Sequence, residues 1–257
     1  MTSTTSKQSA GWARTTTLCG ALALAGLLAG CASGPQTNPR DPYEGYNRSM
    51  TRFNDGVDEA VLKPVATLYK EVTPTPVRTG VSNVFSNLGD FWSFVNSALQ
   101  LRGEEAFDSF VRFNVNTVFG IGGVFDVASE MGIERHKQDF GLTLGRWGVP
   151  SGPYLVLPLL GPSTVRDTVA MPVDMAGSLT GELVDHVPTR NSLYVLRVVD
   201  RRASLLGAGS VLESAALDKY AFTRDVYMQL RNQHAAPAAA DAQEVDDGGG
   251  KLPPEPN

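Results

Sequence analysis

Residues 81–99 read VSNVFSNLGDFWSFVNSAL, and their apolar side chains recur at the spacing of one helix face. This apolar stripe consists of Val81, Val84, Phe85, Leu88, Phe91, Trp92, Val95, Ala98 and Leu99. Phe94 lies off the stripe, and Gly89 within it is a candidate break. The period predicts an amphipathic helix with more apolar surface than an ordinary surface helix needs.

The segments around this stripe show the same helical period. Glu104–Phe119 opens with two acidic residues, which suit a helix N-terminus, and its apolar arc covers about half the circumference. Val57–Val72 predicts another helix, in which Pro64 should cause a kink or a restart with proline in the first turn. Asn191–Leu206 and Val211–Gln233 predict two more. The sequence therefore predicts an all-α fold of broken amphipathic helices.

The excess apolar surface of these helices has two interpretations. The first is a tightly packed helical core, which is the usual reason for a wide apolar arc. The second is a set of helices that lie in a membrane interface with one face among acyl chains. After the N-terminal segment, no apolar run reaches the roughly 18 residues that a spanning helix needs. Both interpretations stay open at this point.

Tyr154–Leu160 is an almost wholly apolar segment with a Gly-Pro pair on each side. It is either a buried strand or loop, or a hairpin that contacts lipid. We expect Ser163 to cap the helix that follows and Asp167 to favour the N-terminus of that helix.

Residues 1–30 have the pattern of a secretory signal. Lys7 and Arg14 precede the apolar stretch Leu18–Gly30, which is too short to span a bilayer. The stretch ends in Leu28-Ala29-Gly30-Cys31, which resembles a bacterial lipobox. The Cys31 sulfur is the nucleophile that would receive the diacylglycerol, so we predict Cys31 as a lipidated residue. The alternative is an ordinary signal peptide followed by a chance cysteine.

This processing predicts four parts of the chain: signal peptide 1–30, flexible tether 31–40, helical domain 41–233 and disordered acidic tail 234–257. Cys19 would leave with the signal and Cys31 would carry lipid, so no disulfide is expected. The residue after the predicted lipidated cysteine is Ala32. In this position the sequence resembles lipoproteins that are sent to the outer membrane. Several acyl chains would give a stable membrane anchor.

Composition and motifs argue against several functions. The net charge of −5 argues against a general nucleic-acid binder. His136, His186 and His234 are far apart, and the chain has no clustered zinc-ligand motif, P-loop or G-x-S-x-G nucleophile motif. We therefore predict no catalytic residue, metal or cofactor, although a triad could still form from distant residues.

Several motifs occur in order along residues 41–233. They are DPYEGYNR at 41–48, FNVNT at 113–117, GIGGVFDVA at 120–128, DFGLTLGRWG at 139–148, Gly152–Ser163 with Arg166-Asp167, and LDKYAFTRD at 217–225. Together with Met50, Phe53 and Asn54, these residues resemble the MlaA/VacJ family of outer-membrane lipoproteins.

The resemblance implies an all-helical ring that lies flat in the inner leaflet of the outer membrane around an amphipathic channel. Members of the family associate with trimeric porins. They take mislocalised phospholipid from the outer leaflet and pass it to a soluble periplasmic carrier of the Mla type, which maintains lipid asymmetry. Such a channel makes physical sense, because moving acyl chains through water costs about 0.8 kcal/mol for each CH₂ group.

The resemblance also suggests candidate site residues. The candidate gate is the apolar segment Tyr154, Leu155, Val156, Leu157, Pro158, Leu159 and Leu160. Phe53 and Asn54 match a family segment near the channel, although ordinary helix packing explains them equally well. For Arg166 and Asp167 we expect a structural pair in preference to a phosphate contact.

Two other classes of function compete with lipid transfer. One is a structural lipoprotein that braces a porin or the envelope without conducting lipid. The other is a hydrolase that clears stray phospholipid, which the missing nucleophile motif disfavours.

Overall fold

The computed structural model describes residues 41–207 and 217–235, which are mostly helical. The helices are α1 Glu44–Val57, α2 Lys63–Val72, α3 Thr75–Leu99, α4 Gly103–Val118, α5 Val127–Glu130, α6 Phe140–Arg146, α7 Val165–Ala176, α8 Leu179–Glu182, α9 Val187–Ser204 and α10 Lys219–His234. A hairpin of β1 Tyr154–Leu157 and β2 Gly161–Thr164 lies between α6 and α7. The predicted all-α class is confirmed.

The helix predicted at Val57–Val72 starts earlier than expected. The chain is already helical from Glu44, and a π-helical segment, Asp58–Leu62, connects α1 to α2. Pro64 stands in the first turn of α2, as predicted. Proline lacks an N–H and its ring clashes with the carbonyl four residues earlier, which fits a widened turn immediately before it.

Helices α3 and α4 form a pair joined only by residues 100–102. The observed bounds of α4, Gly103–Val118, agree with the predicted segment Glu104–Phe119 to within one residue at each end. After α4, the chain turns through Gly120–Gly123. A Cβ at Gly123 would lie 2.7 Å from the Asn87 Cβ atom, so this turn packs closely against α3.

The apolar segment Tyr154–Leu160 forms β1 and the turn of the hairpin. Tyr154 pairs with Thr164 and Leu157 pairs with Gly161, in an antiparallel register. Helix α7 begins directly after β2. Its cap is Thr164, whose side chain accepts a hydrogen bond from the Asp167 backbone N–H at 3.1 Å.

The prediction of Ser163 as the cap is therefore wrong by one residue. The Ser163 hydroxyl instead lies 2.9 Å from that of Thr168. Asp167 lies in the first turn of α7, as predicted.

Two helices near the C-terminal end also match their predicted positions in part. Helix α9 was predicted at Asn191–Leu206 and begins earlier, at Val187, where Pro188 suits the first turn. Helix α10 covers the second half of the predicted segment Val211–Gln233. Residues 1–40, 208–216 and 236–257 lie outside the described residues, and with them the signal segment, Cys31, the tether and most of the tail.

Candidate functional site

The seam between α3 and α4 is polar. On α3 the buried residues are Gly80, Asn87, Asp90, Ser93, Asn96 and Ser97, and on α4 they are Ala106, Ser109, Arg112 and Asn116. These residues recur at helical spacing, as a buried stripe should. The buried stripe of α3 is therefore polar, whereas the stripe that predicted this helix from the sequence is apolar.

Arg112 is the central side chain of this seam and is only 1% exposed. Its guanidinium donates to both Asp126 carboxylate oxygens, at 2.8 and 3.0 Å, and more weakly to Asp90 at 3.4 Å. Burial raises the pKa of Asp90, although Arg135 and Arg112 oppose this effect. A buried guanidinium needs such partners, because an isolated buried charge costs several kcal/mol (roughly).

Asp126 joins the seam to the turn that follows α4. Burial alone would raise its pKa, but hydrogen bonds from Ser129 and Asn116, together with the nearby arginines, lower it. Asn116 donates to Asp126 at 3.0 Å and accepts from the Ala128 backbone N–H at 2.9 Å. The seam is therefore a connected hydrogen-bond network that fixes α5 against α4.

The polar network continues toward α6. Thr143 donates to the Asn96 side chain at 2.8 Å, and the Gln100 amide donates to Thr143 and to Gln138, both at 3.1 Å. All four side chains are buried. Polar contacts thus hold α6 against α3, while the ring pairs Phe91–Phe113 and Phe94–Phe110 add apolar contacts between α3 and α4.

Large apolar side chains on the same helices point outward. Leu99 of α3 and Phe107, Phe110 and Val118 of α4 are exposed, and Phe119 follows them. No residue of the predicted apolar stripe at 81–99 is fully buried. Most of the stripe is half-buried, and Phe91 packs against Phe113 of α4 with ring centroids 5.3 Å apart. Both interpretations of the apolar surface therefore stay predictions.

An apolar cavity of about 910 Å³ opens between the first half of α3, the turn after α4, α8 and α9. Its lining consists of Thr75, Pro76, Val77, Thr79, Gly80, Val81, Asn83, Val84, Phe85, Leu88, Val124, Phe125, Asp126, Thr180, Leu183, Val184, Leu193 and Leu196. The stripe residues Val81, Val84, Phe85 and Leu88 thus face this space. A cavity of this size and apolar character suits acyl chains.

The hairpin has a buried face and an exposed tip. Tyr154 and Val156 are buried and pack with Tyr220 of α10. At the tip, Leu159 is 64% exposed and Leu160 is also exposed. Leu159 has a φ of +63°, a conformation that a leucine adopts only at a cost of about 1 kcal/mol or more. The hairpin thus anchors one face in the protein and presents an apolar, strained turn.

Two asparagines of α1 hold the outer edge of β1. Asn47 donates to the Tyr154 carbonyl at 3.0 Å and accepts from the Val156 N–H at 2.8 Å. Asn54 repeats the pattern, donating to the Leu157 carbonyl at 2.9 Å and accepting from the Leu159 N–H at 2.7 Å. The two side chains replace the hydrogen bonds of a third strand along this edge.

The structure therefore brings together Asn54 and the candidate gate Tyr154–Leu160, which the sequence analysis named separately. Phe53 is exposed and takes no part in this contact. Asn47 was missed as a site residue, although it lies seven residues before Asn54 and hence two turns away on the same face of α1. That spacing was a usable signal.

The hairpin region is also tied to the start of the described chain. Asp41 is fully buried and accepts hydrogen bonds from Asn47 at 2.9 Å, from Arg224 at 3.2 Å and from the Tyr220 hydroxyl. Burial and the bond to Asp41 raise the pKa of Tyr220. Asp41, the first described residue, is therefore held beside the hairpin.

Arg166 and Asp167 form the predicted structural pair, with 3.1 Å between Nε and Oδ1. Asp167 also accepts from Arg231 at 2.9 Å and from the Tyr227 hydroxyl at 3.1 Å. Burial would raise the pKa of Asp167, but the contacts with Arg231 outweigh it and the pKa is lowered. This pair fastens α7 to α10.

No helix within residues 41–207 or 217–235 has the length and hydropathy to cross a membrane. The same residues contain no group of three or more His, Cys, Asp and Glu side chains placed to hold a metal ion. Cys31 lies outside this part of the chain, so its lipidation stays a prediction.

The described residues thus form a helical fold with a polar seam, exposed apolar side chains and an apolar cavity. A family model described as MlaA lipoprotein matches residues 39–234, which is well over half of the chain. The chain belongs to the MlaA lipoprotein family.

Named relatives cover most of the chain. This chain is 37% identical over 210 residues to the intermembrane phospholipid transport system lipoprotein MlaA of Shigella flexneri. The match covers 79% of this chain and 82% of that protein. The lipoprotein of the same name from Escherichia coli K12 is 36% identical over the same shares of both chains. An uncharacterized protein of Rickettsia typhi is 43% identical over 127 residues, so the chain spans only about half (51%) of that relative's length.

A solved structure also matches the fold. It comes from work on the structural basis for maintenance of bacterial outer membrane lipid asymmetry. The TM-score is 0.62 at 34% sequence identity, and the match covers 76% of this chain and 99% of the other.

Proposed function

We propose that this chain is an envelope lipoprotein that removes mislocalised phospholipid from the outer leaflet of the outer membrane and passes it toward a periplasmic carrier. The observation that carries the proposal is the inverted polarity of α3 and α4, with polar residues inside and apolar residues outside, beside an apolar cavity. Relatives named for intermembrane phospholipid transport support it.

The physical requirement for such a protein is to shelter acyl chains and still tolerate a charged headgroup. Exposing a chain to water costs about 0.8 kcal/mol for each CH₂ group, and burying an unpaired charge costs more. The cavity provides the apolar wall. A passive route of this kind uses no bound nucleotide, and we propose no enzymatic step.

We further propose the cellular setting that the family resemblance implies. Cys31 carries the lipid anchor, the folded part lies at the periplasmic face of the outer membrane, and a trimeric porin and a periplasmic carrier of the Mla type are its partners. The exposed apolar faces of α3 and α4 support contact with acyl chains or with an apolar partner surface.

Within this proposal the hairpin Tyr154–Leu160 is the gate. Its exposed, strained tip at Leu159 is held to α1 by the two hydrogen bonds of Asn54. A turn held by so few bonds opens at a low free energy, which suits a moving element.

The test measures phospholipid in the outer leaflet of the outer membrane, in cells with and without this gene. We expect intact phospholipid to accumulate on deletion, and wild type to restore asymmetry without releasing fatty acids or lysophospholipid. Val84→Trp, which fills the cavity, should fail to restore asymmetry at equal protein level. Val72→Trp, on an exposed position of α2, is the matched control and should restore it.

Each contrary outcome identifies a rival. Unchanged leaflet composition on deletion contradicts the transport proposal. Full rescue by Val84→Trp indicates a structural lipoprotein that conducts no lipid through this cavity, and release of lysophospholipid by wild type indicates a hydrolase.

A further inference from the structure

The surface of helix α9 carries a stripe of arginines. Arg190, Arg197 and Arg201 recur at intervals of seven and four residues, which places them on one face of the helix. Within residues 41–207 and 217–235, none of these three side chains has a hydrogen bond or an ion pair. The remaining arginine of α9, Arg202, instead pairs with Asp58 at 2.6 Å. The first three residues form what we call the arginine stripe.

An outer apolar stripe runs beside the arginine stripe. It consists of Val187, Val198 and Leu205, which are 52%, 50% and 49% exposed. At about 100° of rotation per residue, it lies roughly 60° around the helix from the arginines. Its ends are about 27 Å apart, at a rise of about 1.5 Å per residue. The outer surface of α9 is therefore amphipathic along the length of the helix.

The inward face of α9 is covered by the protein itself. Val199, Asp200 and Ala203 are buried, and Leu193 and Leu196 line the apolar cavity. Asp200 is the one acidic residue in the sequence of α9, and its carboxylate accepts hydrogen bonds from hydroxyl groups of α2 and α3. The packing of the described residues therefore leaves both outer stripes at the surface, and Asp200 does not neutralise the arginines.

The arginines of the stripe lie close enough to repel one another. Nearby protein atoms and the positive charge of Arg201 lower the pKa of Arg197. Like charges one helical turn apart destabilise a helix. Anionic groups at this face would relieve the repulsion, and a guanidinium can bind a phosphate through two hydrogen bonds.

We propose that α9 is a bilayer-contact helix that selects lipids of net negative charge. The outer apolar stripe enters the boundary between headgroups and acyl chains, and the arginine stripe meets the phosphates. Basic helices with an apolar flank are typical of membrane surfaces. The chain belongs to a lipoprotein family, which supports a bilayer as the occupant in preference to an acidic protein.

This inference rests on the proposed function only in that the protein works at a membrane. It goes beyond that function by naming the contacting helix and the charge of the lipid. Transport through the cavity can proceed without either feature, so the cellular leaflet measurement and the lipid-contact measurement on α9 can fail separately.

The test places a bimane fluorophore at Val198→Cys in the full-length protein, reconstituted in phosphatidylcholine bilayers. Brominated phosphatidylcholine or brominated phosphatidylglycerol is added, because bromine quenches the fluorophore only on close approach. We expect quenching by both lipids, stronger quenching by phosphatidylglycerol, and a weaker preference at high salt. The same label at Lys137→Cys, an exposed position between α5 and α6, should not be quenched.

Arg197→Gln and Arg201→Gln, each in the labelled protein, should lower the preference for phosphatidylglycerol about fivefold, the effect of roughly one arginine on an anionic lipid. Quenching by phosphatidylcholine should persist, because the outer apolar stripe is intact. Arg52→Gln is the matched control and should keep the wild-type preference. Arg52 is an exposed arginine of α1 that donates to Ser49 at 3.1 Å and has no ion pair within the described residues. Helix content and melting temperature report whether each variant is folded.

Absence of quenching at Val198→Cys by either lipid would overturn the bilayer contact. Equal quenching by the two lipids, or an equal loss in Arg52→Gln, would overturn the preference for anionic lipid. A preference that emerges only after the acidic residues of the tail are neutralised would show that the tail, and not lipid, occupies the arginine stripe. The tail residues to neutralise are Asp241, Glu244, Asp246 and Asp247.

Discussion

The hairpin region and the α3–α4 pair solve the problem of burial in opposite ways. Around the hairpin, Tyr154, Val156 and Tyr220 are buried together and hydrogen bonds lie at the edge. Between α3 and α4, Arg112 and Asn116 are buried, whereas Phe107 and Phe110 of α4 are exposed. The first arrangement is that of a protein in water, and the second suits a protein whose surroundings are apolar.

The comparison shows what a buried polar seam provides. A polar side chain inside a protein gains little unless all its partners are present, and removing one partner is costly. Such a seam therefore helps to fix the relative position of the two helices, together with the ring pairs Phe91–Phe113 and Phe94–Phe110. In lipid, the apolar outer faces of α3 and α4 would no longer be exposed to water.

The largest effect should come from breaking the seam. Arg112→Met removes the buried one of the two arginines that pair with both Asp90 and Asp126, and leaves only Arg135. We expect a loss of about 3 kcal/mol in the free energy of unfolding. Denaturant unfolding measures it. Arg48→Met removes two ion pairs, to Glu44 and to Asp218, that are partly exposed to solvent, and it should cost about 1 kcal/mol. Similar losses for the two variants would contradict the central role of the seam.

A smaller effect should come from the clamp on the hairpin. Asn47→Ala leaves the buried Tyr154 carbonyl and Val156 N–H without this partner and removes one hydrogen bond to Asp41, so it should cost about 2–3 kcal/mol in the free energy of unfolding. Asn54→Ala, nearer the exposed tip, should cost about 1 kcal/mol. Hydrogen exchange of the Leu159 N–H should speed up most in Asn54→Ala. Asn114→Ala, the control, removes only a hydrogen bond to the Phe110 carbonyl on the exposed side of α4. Its free energy of unfolding should stay within about 0.5 kcal/mol of the wild-type value.

Equal hydrogen exchange at Leu159 in wild type and Asn54→Ala would show that the clamp does not hold the tip. The gate proposed for Tyr154–Leu160 would then lack its retaining contact.

The helices could be predicted from the sequence, because a 3.6-residue period is a local property. The segment Glu104–Phe119 was correct to within a residue, and Pro64 correctly indicated an interruption. The period cannot say which face is buried, because that depends on what surrounds the helix. The polar stripe of α4, from Ala106 to Asn116, has the same spacing as the apolar one.

The candidate site was predictable only in part. Asn54 and the hairpin were both named, but their contact joins residues about a hundred positions apart and requires the fold. The cavity is lined by residues from four separate segments, and no sequence motif marks them as neighbours. Ser163 and Thr164 are adjacent and both carry a hydroxyl that can cap a helix. The sequence alone therefore does not determine which of the two caps α7.

The most direct test of the inverted polarity measures what surrounds the outer face of α4. Spin labels at Phe107→Cys and Val118→Cys, in the protein reconstituted in phospholipid bilayers, report access to oxygen and to a water-soluble nickel chelate. Lys137→Cys, at an exposed lysine between α5 and α6, is the aqueous reference, and the unmodified chain gives the background. The account predicts preferential oxygen access at Phe107 and Val118 and preferential nickel access at Lys137. Preferential nickel access at all three positions would contradict it.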